Sequence, residues 1–308
     1  MMGAVAFWAV GCGWVLEPIE QRFLFRPWSA DSIQLASLVS RENGVEEVRL
    51  KTTDGVMLHG WLKHPPAARA DGRFPLVIVF GGVRRETSWM IDQGEKPDGW
   101  GWLFINYRGY GLSGGEPSER SLLKDAKQIY DYAAARPDVD ASNIVLLGRS
   151  LGTYFAVALA KMRPVRGTIL ATPFDSFAAL GADRYPWLPV GLLLNGHYDA
   201  VTIAPAIKAP ALFIFAERDD ITPVENGTAL ARAWGGSKRT VTLPDARHYG
   251  IERRADFWSA VADFLREIDS GSPRLNGQTV KVESPLRQWP GSNAPEPRVM
   301  QNGVTNAR

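Results

Sequence analysis

Short runs of consecutive apolar residues alternate along this chain with longer segments of helical periodicity. The apolar runs are PLVIVF (75–80), WLFINY (102–107), IVLL (144–147), GTILA (167–171), ALFIFA (211–216) and TVTLP (240–244). Segments with helical spacing lie at 121–135, 153–162, 223–234 and 255–268. Continuous apolar runs are typical of parallel strands that are covered on both faces. The alternation therefore predicts an α/β fold, with a mostly parallel sheet and helices on both of its faces.

The segment before these runs has a different pattern. In 45–51 and 56–63, apolar and polar residues alternate, and the residues TDG lie between the two stretches. Alternation predicts β-strands, and TDG is typical of a tight turn. We therefore expect an antiparallel hairpin ahead of the parallel strands, which brings the predicted sheet to eight strands.

Two further stretches depart from the alternation. Residues 174–201 contain YPWLP and NGHYDA, and they are too few for a large lid domain. We predict that they form a short cap, which provides one wall of a pocket. Residues 271–308 are rich in Gly, Pro, Ser and Asn without a period, and they are predicted to be a disordered tail. The folded domain is then expected to span 29–270.

The amino-terminal segment, residues 1–28, allows two interpretations. Residues 1–16 are apolar, but they are shorter than the roughly 20 residues that cross a bilayer, and they lack the basic start of a signal peptide. One interpretation is a helix docked on the folded domain. The other is a membrane anchor, which EPIEQRFLFRPW (17–28) favours because aromatic residues and arginines lie side by side in it. We predict that this segment associates the protein with a membrane surface.

Charge and cysteine content exclude some classes of function. The 35 Lys and Arg residues nearly balance the 33 Asp and Glu residues, and there is no basic stripe or nucleic-acid motif. We therefore expect no nucleic-acid partner. Cys12 is the only cysteine, which excludes an intrachain disulfide and a cysteine-based metal site.

A serine lies between two glycines where a predicted strand meets a predicted helix. The residues GRSLG (148–152) fit the pattern G-x-S-x-G, in which a sharp strand-to-helix turn exposes a nucleophilic serine. The glycines relieve crowding in such a turn, and the following helix directs its free N–H groups toward the serine. We therefore predict that Ser150 is a nucleophile and that the backbone N–H of Leu151 stabilises an oxyanion.

A nucleophilic serine needs a general base, usually a histidine. In this architecture the base follows the serine along the chain. Only His197 and His248 follow Ser150, and His248 comes directly after the last predicted strand, whereas His197 lies in the cap. We therefore favour His248 as the base. His59 and His64 belong to the first hairpin or its exit, and we assign them structural roles.

The base in turn needs a carboxylate that orients it, and this acid should follow the strand at 211–216. Three residues there are candidates, namely Glu217, Asp219 and Asp220. Neighbouring residues in an extended stretch point in opposite directions, so at most one of Asp219 and Asp220 can face the histidine.

These motifs resemble the α/β-hydrolase superfamily. More narrowly, the chain resembles its BEM46-type branch, which is related to the abhydrolase-domain-13 and serine aminopeptidase-like hydrolases. The resemblance extends from about residue 25 to about residue 265. It rests on LFRP, NYRGYGLSGGEPSE, LLGRSLGT, TPFDSFAAL, YPWLPV, AERDDITP and ARH, in this order. It implies the α/β-hydrolase fold and a serine hydrolase activity.

The resemblance also implies which residues carry the chemistry. The family triad corresponds here to Ser150, Asp219 and His248, because in related hydrolases the acid lies four positions before the proline that is Pro223 in this chain. Family members often carry HGN after the first central strand, where this chain reads FGGVRRE. The resemblance therefore assigns the second oxyanion donor to the backbone N–H of Val83.

Several other residues within or beside these motifs also receive assignments. Arg84 and Arg85 follow the proposed donor, and they indicate either a solvated loop, which we favour, or a preference for acyl groups that bear a carboxylate or phosphate. Arg108 is expected to brace loops beneath the site, and Arg149 is expected to pair with a carboxylate. The tyrosines of NYRGYG, at 107 and 110, are expected to be packing residues.

The sequence as a whole predicts a serine hydrolase that cleaves a carboxylic ester or thioester through an acyl-enzyme. Its partner is then a small acyl substrate, and the chemistry needs no metal and no organic cofactor. One alternative is a serine peptidase, which would need acidic residues near the nucleophile to bind a free amine. The other is a catalytically silent, membrane-tethered interaction protein, and the presence of a suitable serine, acid and histidine argues against it.

Overall fold

The computed structural model describes residues 25, 44–184, 187, 198–271 and 276–281. The strands of these residues are β1 (Val45–Lys51), β2 (Met57–Lys63), β3 (Phe74–Phe80), β4 (Gly101–Ile105), β5 (Val139–Arg149), β6 (Gly167–Ala171), β7 (Ala211–Ala216), β8 (Lys238–Leu243) and β9 (Asn276–Lys281). The α-helices are α1 (Glu119–Ala135), α2 (Leu151–Met162), α3 (Phe177–Arg184), α4 (Val224–Ala233) and α5 (Ala255–Asp269). Strands and helices alternate from β4 onward, as the periodicity predicts.

All of these strands belong to one sheet, with the order β1-β2-β4-β3-β5-β6-β7-β8-β9. β1 pairs with β2, and β2 with β4, in antiparallel register. Every other neighbouring pair is parallel. The predicted hairpin and the mostly parallel sheet are therefore confirmed. Because the carboxyl ends of parallel strands meet at one edge, the loops after β3, β5, β7 and β8 are gathered there.

The sheet separates two apolar cores, and β3 contributes to both. Leu76, Ile78 and Phe80 lie in the first core, whereas Val77 and Val79 lie in the second. Successive side chains of a strand point to opposite faces, which produces this division. Helices α1, α2 and α4 cover the first face, and α5 covers the second. Burial on both sides explains why β3, β4 and β7 are apolar at every position.

The sheet has one strand more than the eight predicted. Strand β9 falls inside the segment 271–308, which the composition predicts to be a disordered tail, and this part of the prediction is wrong. β9 pairs in parallel with β8, and Thr240 lies opposite Thr279. The outer edge of β8 would otherwise leave its N–H and C=O groups unpaired. The sequence of β9 contains Thr279 and Val280, which are β-branched and suit a strand. The prediction of disorder rests on the composition of the whole tail and does not take these two residues into account.

The predicted amino-terminal anchor and the rest of the tail lie almost entirely outside the described residues. Of the segment 1–28, the structure describes only Phe25, whose side chain is buried in the first core. Among the residues that the structure describes, no helix combines the length and the apolar character that crossing a bilayer requires.

The predicted cap contains α3, and both of its ends are packed against the domain. Ser176 and Asp199 form an isolated antiparallel bridge that closes the base of the cap. The ring of Phe177 lies between those of Phe174 and Tyr198, with centroid distances of 5.0 and 4.4 Å. Such aromatic contacts contribute to stability beyond the area that they bury. Residues 185–186 and 188–197 of the cap lie outside the described ranges.

Candidate active site

Ser150 lies in the turn between β5 and α2. Its backbone has φ 54° and ψ −122°, a conformation that residues other than glycine rarely adopt. The turn also depends on close packing, because a Cβ atom on Gly152 would lie 2.0 Å from the carbonyl oxygen of Phe80. A Cβ atom on Gly148 would lie 2.5 Å from the carbonyl oxygen of Gly152. A strained turn of this kind is the geometry of a nucleophile elbow, and it holds the serine at the carboxyl edge of the sheet.

Three side chains from three loops form a hydrogen-bonded chain at this edge. Nε2 of His248 lies 3.0 Å from Oγ of Ser150, and Nδ1 of His248 lies 2.9 Å from Oδ2 of Asp219. The side chains of His248 and Asp219 are each 2% exposed, so water does not compete for these bonds. An ionised Asp219 can only accept, which assigns the proton of the neutral ring to Nδ1 and leaves Nε2 to accept from the serine hydroxyl. This is the order of contacts that a Ser–His–Asp triad requires.

The loop after β7 holds the Asp219 carboxylate in place. The backbone N–H groups of Ile221 and Thr222 donate to Oδ1 at 2.9 and 2.8 Å, and the Thr222 hydroxyl lies 3.0 Å from Oδ2. Burial acts to raise the pKa of Asp219, but the hydrogen bond and charge of His248, together with these backbone donors, lower the pKa below its ordinary value. Asp219 is therefore ionised at neutral pH and oriented toward the imidazole.

The environment of His248 keeps its imidazole neutral. Burial has the largest influence and lowers the pKa of His248 below its ordinary value. The hydrogen bond to Asp219 raises the pKa, the positive charge of Arg149 lowers it, and the negative charge of Glu252 raises it. The net lowering favours the unprotonated ring, which is the form that can accept a proton from a serine.

The two predicted oxyanion donors belong to segments that lie next to the serine. Leu151 begins α2, and Val83 lies in the loop after β3, which passes close to the nucleophile. A Cβ atom on Gly82 would lie 3.6 Å from Cβ of Ser150. Neither the Leu151 N–H nor the Val83 N–H donates to another residue in the part of the chain that the structure describes. Both groups are therefore available to a carbonyl oxygen of a substrate.

Two tyrosines that the sequence predicts to be packing residues also hold this loop. The Tyr107 hydroxyl donates to the carbonyl oxygen of Gly81 at 2.8 Å, and the Tyr110 hydroxyl donates to that of Val83 at 2.7 Å. These carbonyls flank the peptide group that carries the Val83 N–H, so their bonds limit its rotation. Burial raises the pKa of Tyr107 well above its ordinary value, and its hydroxyl remains a donor. The sequence signal for this role is the position of both tyrosines just after β4, because β4 is the strand beside β3.

Arg149 precedes the nucleophile and joins three loops of the site. Its Nη2 donates to the carbonyl oxygen of His248 at 2.7 Å, and its Nε lies 2.5 Å from Oε1 of Glu252. A Cβ atom on Gly82 would lie 2.9 Å from Nη1 of Arg149. The side chain of Arg149 is 8% exposed, and that of Glu252 is fully buried. Glu252 is therefore the carboxylate partner that the sequence predicts for Arg149 without identifying it.

The other candidate acids lie apart from the histidine. The Glu217 carboxylate accepts from the backbone N–H of Asp245 at 2.9 Å. Asp220 is exposed, whereas its neighbour Asp219 is the residue that contacts His248. The structure thus separates the two adjacent aspartates as the alternation of side-chain directions predicts.

The other histidines are also distant from the serine in the fold. His59 is buried in β2, with Nε2 3.1 Å from Glu47, and His64 lies just after β2, with Nε2 2.9 Å from Glu46. Both contacts belong to the first hairpin, as the sequence predicts. His197 lies outside the described residues.

Comparison with known proteins gives relatives that cover most of the chain. No protein-family model matches it. It is 34% identical over 250 residues to the uncharacterized protein Rv2307c of Mycobacterium tuberculosis, a match that covers 80% of this chain and 87% of that protein. It is 30% identical over 200 residues to the alpha/beta hydrolase domain-containing protein WAV2 of Arabidopsis thaliana, covering 58% and 63% of the two chains. It is 26% identical over 251 residues to the protein bem46 of Schizosaccharomyces pombe, covering 74% and 79%.

Solved structures share the same architecture. An esterase of Pyrococcus furiosus superimposes with a TM-score of 0.60 at 19% sequence identity, covering 80% of this chain and 98% of that chain. At this identity the likeness shows the fold. The chain therefore belongs to the same family as Rv2307c and has the α/β-hydrolase fold. The similarity to bem46 agrees with the resemblance to the BEM46-type branch.

Proposed function

We propose that this protein is a serine hydrolase that cleaves a carboxylic ester or thioester through an acyl-enzyme. The observation that carries the proposal is the hydrogen-bonded chain from Ser150 through His248 to Asp219, which begins on a strained strand-to-helix turn. The esterase among the solved structures with this fold adds support. The substrate class that fits these residues is an acyl group on an alcohol or a thiol.

In the first half of the reaction, Oγ of Ser150 attacks the acyl carbonyl carbon while Nε2 of His248 takes the hydroxyl proton. Asp219 stabilises the imidazolium that forms, and its hydrogen bond keeps the ring oriented. The carbonyl oxygen gains negative charge and accepts from the N–H groups of Leu151 and Val83. The bond to the leaving alcohol or thiol then breaks, and the imidazolium returns the proton to it.

In the second half, water attacks the ester that joins the acyl group to Ser150. Nε2 of His248 takes a proton from this water, and the same two N–H groups stabilise the oxyanion. The bond to Oγ then breaks, the imidazolium gives its proton to the serine, and the carboxylic acid leaves. The enzyme returns to its starting state, with one water consumed for each ester cleaved.

A fluorophosphonate probe tests the proposal, because it reacts with an activated serine and not with an ordinary hydroxyl. We expect labelling of Ser150, located by peptide mapping, together with hydrolysis of 4-nitrophenyl hexanoate. Ser150→Ala should lose labelling and several orders of magnitude of turnover. The control is Ser142→Ala, which removes an exposed hydroxyl from the same strand. A protein that neither reacts with the probe nor cleaves any short-chain ester or thioester would support the silent-scaffold alternative.

A further inference from the structure

Two exposed arginines follow the predicted oxyanion donor, and they extend toward different aromatic rings. The guanidinium carbon of Arg84 lies 5.5 Å from the centroid of the Tyr249 ring, and that of Arg85 lies 5.4 Å from the Trp89 ring. Neither arginine forms an ion pair within the ranges that the structure describes. An arginine that rests on an aromatic ring is held in place while its N–H groups remain free to donate to a planar anion.

The Tyr249 ring places Arg84 beside the reacting groups. This ring packs edge-on against the His248 ring, with centroids 5.1 Å apart, and it is 44% exposed. Arg149 also lies 5.5 Å from the same ring, but Arg149 is buried and its charge is balanced by Glu252. Arg84 is therefore the guanidinium at this ring that faces solvent, at the mouth of the site.

The carboxylates near the mouth do not neutralise Arg84. Oε2 of Glu86 accepts from the Asn106 amide at 3.3 Å. Asp219 is buried and bonded to His248. Asp220, on the loop after β7, is an exposed carboxylate that forms no ion pair with a described residue.

On the basis of the proposed hydrolase function, we propose that Arg84 binds an anionic group of the substrate, and that the enzyme prefers esters with a carboxylate or phosphate several atoms from the scissile carbonyl. Arg84 directly follows Val83, whose N–H is the predicted oxyanion donor. A substrate can therefore contact the donor with its carbonyl oxygen while its anionic group contacts the neighbouring guanidinium. This contact is equally available in the bound substrate and in the transition state, so it should lower KM more than it raises kcat.

A matched pair of esters tests the proposal for an anion in the acyl part. The 4-nitrophenyl monoester of adipic acid differs from 4-nitrophenyl hexanoate by a carboxylate in place of the terminal methyl group. In Arg84→Gln, the ratio of kcat/KM for the adipate ester to that for the hexanoate should fall about three- to fivefold, the size expected of one exposed ion pair. The change should reside in KM, it should weaken at high salt, and hexanoate turnover should stay within about twofold of wild type.

Four further variants separate this contact from a general effect of charge. Arg85→Gln removes the neighbouring cation that rests on Trp89, and Arg73→Gln removes one at the amino end of β3, the opposite edge of the sheet. Both should leave the ratio within about twofold, because an exposed charge outside the contact is screened. Asp220→Asn should likewise leave the ratio within about twofold, whereas Arg84→Lys should retain part of the preference as a point charge.

A second pair locates the anion on the leaving group. It consists of 4-carboxyphenyl hexanoate and 4-carbamoylphenyl hexanoate, which differ only in the charge of the alcohol part. Dependence on Arg84 in either pair supports the proposal and assigns the side on which the anion binds. If the neutral esters are cleaved and Arg84→Gln changes the ratio in neither pair, the proposal is wrong while the hydrolase function stands. If no ester of either pair is cleaved, the hydrolase function fails and this proposal fails with it.

Discussion

Two buried arginines have the same chemistry but belong to different regions of the molecule. Arg149 contacts Glu252 and the carbonyl of His248, so it lies beneath the candidate active site. Arg108 donates to both oxygens of Asp125 in α1 and to both oxygens of Asp54 in the turn of the first hairpin. Each arginine joins segments that are distant in sequence. Only the first of them touches a loop that carries a triad side chain.

The two networks differ in what their buried charges affect. The charges of one network affect only the stability of the fold, whereas the charges of the other also affect the histidine of the candidate active site. Hydrogen bonds to Asp125 and Asp54 raise the pKa of Arg108, while burial raises the pKa of Asp125 against the opposing influence of the arginine. This network therefore concerns the packing of the hairpin on α1. The charges of Arg149 and Glu252 act instead on the pKa of His248, in opposite directions. The Arg108 network should matter for folding, and the Arg149 network for both folding and the pH dependence of catalysis.

The largest effect is expected at the acid of the active-site region. Asp219→Asn should reduce kcat by about 10⁴, because the imidazole loses its orientation and the partner of its charge. Asp220→Asn is the matched control, and it should change kcat for a neutral ester only a few-fold. Both are measured with 4-nitrophenyl hexanoate after circular dichroism has confirmed equal folding. A crippled Asp220→Asn beside a nearly normal Asp219→Asn would show that the wrong aspartate had been assigned.

The next largest effect is expected on the stability of Arg108→Met, and it distinguishes the role of Arg108 from that of Arg149. Arg108→Met leaves Asp125 buried without its partner and should lower the free energy of unfolding by about 3–5 kcal/mol. Its kcat, corrected for the folded fraction by active-site titration with a fluorophosphonate, should stay within about twofold of wild type. Urea denaturation followed by fluorescence measures the stability change. An Arg108→Met protein that is stable but inactive would remove the distinction between the two networks.

A smaller effect concerns the pH dependence of the active-site network. In the wild-type enzyme, the acidic limb of kcat/KM should have its midpoint below about pH 6.5, the ordinary histidine value, because burial favours the neutral ring. Glu252→Gln removes a charge that raises the pKa of His248, so the midpoint should move to lower pH. Arg149→Met removes a charge that lowers this pKa, so the midpoint should move to higher pH.

The control for these pH profiles is Asp125→Asn, which neutralises a buried carboxylate of the other network. Its midpoint should coincide with that of the wild type, even though its free energy of unfolding is reduced. Shifts of Glu252→Gln and Arg149→Met in the same direction would contradict an electrostatic role for the Arg149 network and indicate a structural one.

The smallest effect is expected in the loop that carries Val83. Tyr110→Phe removes the hydroxyl that binds the Val83 carbonyl and should lower kcat about two- to tenfold, the range expected of one hydrogen bond. Tyr130→Phe is the control, because its hydroxyl also binds a backbone carbonyl, that of Pro164, at a distance from the site. Equal losses of kcat in the two variants would show that Tyr110 acts through stability alone.

The periodicity of the sequence predicts most of the elements because burial on two faces leaves a clear pattern. β1 and β7 have the residues predicted for them, at Val45–Lys51 and Ala211–Ala216, and β2 begins one residue later than predicted, at Met57. β5 begins earlier than its apolar run, at Val139, because Phe74 of β3 pairs there ahead of a register shift. The sequence does not predict β9, because this strand depends on pairing with the edge of β8. The local pattern of residues does not identify that partner.

The sequence by itself determined the order of the elements, the strained turn at Ser150 and a short set of possible partners for it. These features are local, because they follow from periodicity, from the space around two glycines and from the position of a residue relative to a strand end. Only the tertiary structure decided that Glu252 faces Arg149, that Tyr107 and Tyr110 hold the loop after β3, and that Arg84 rests on Tyr249. Those contacts join loops that are far apart along the chain, and they depend on the register in which the parallel strands bring their carboxyl ends together.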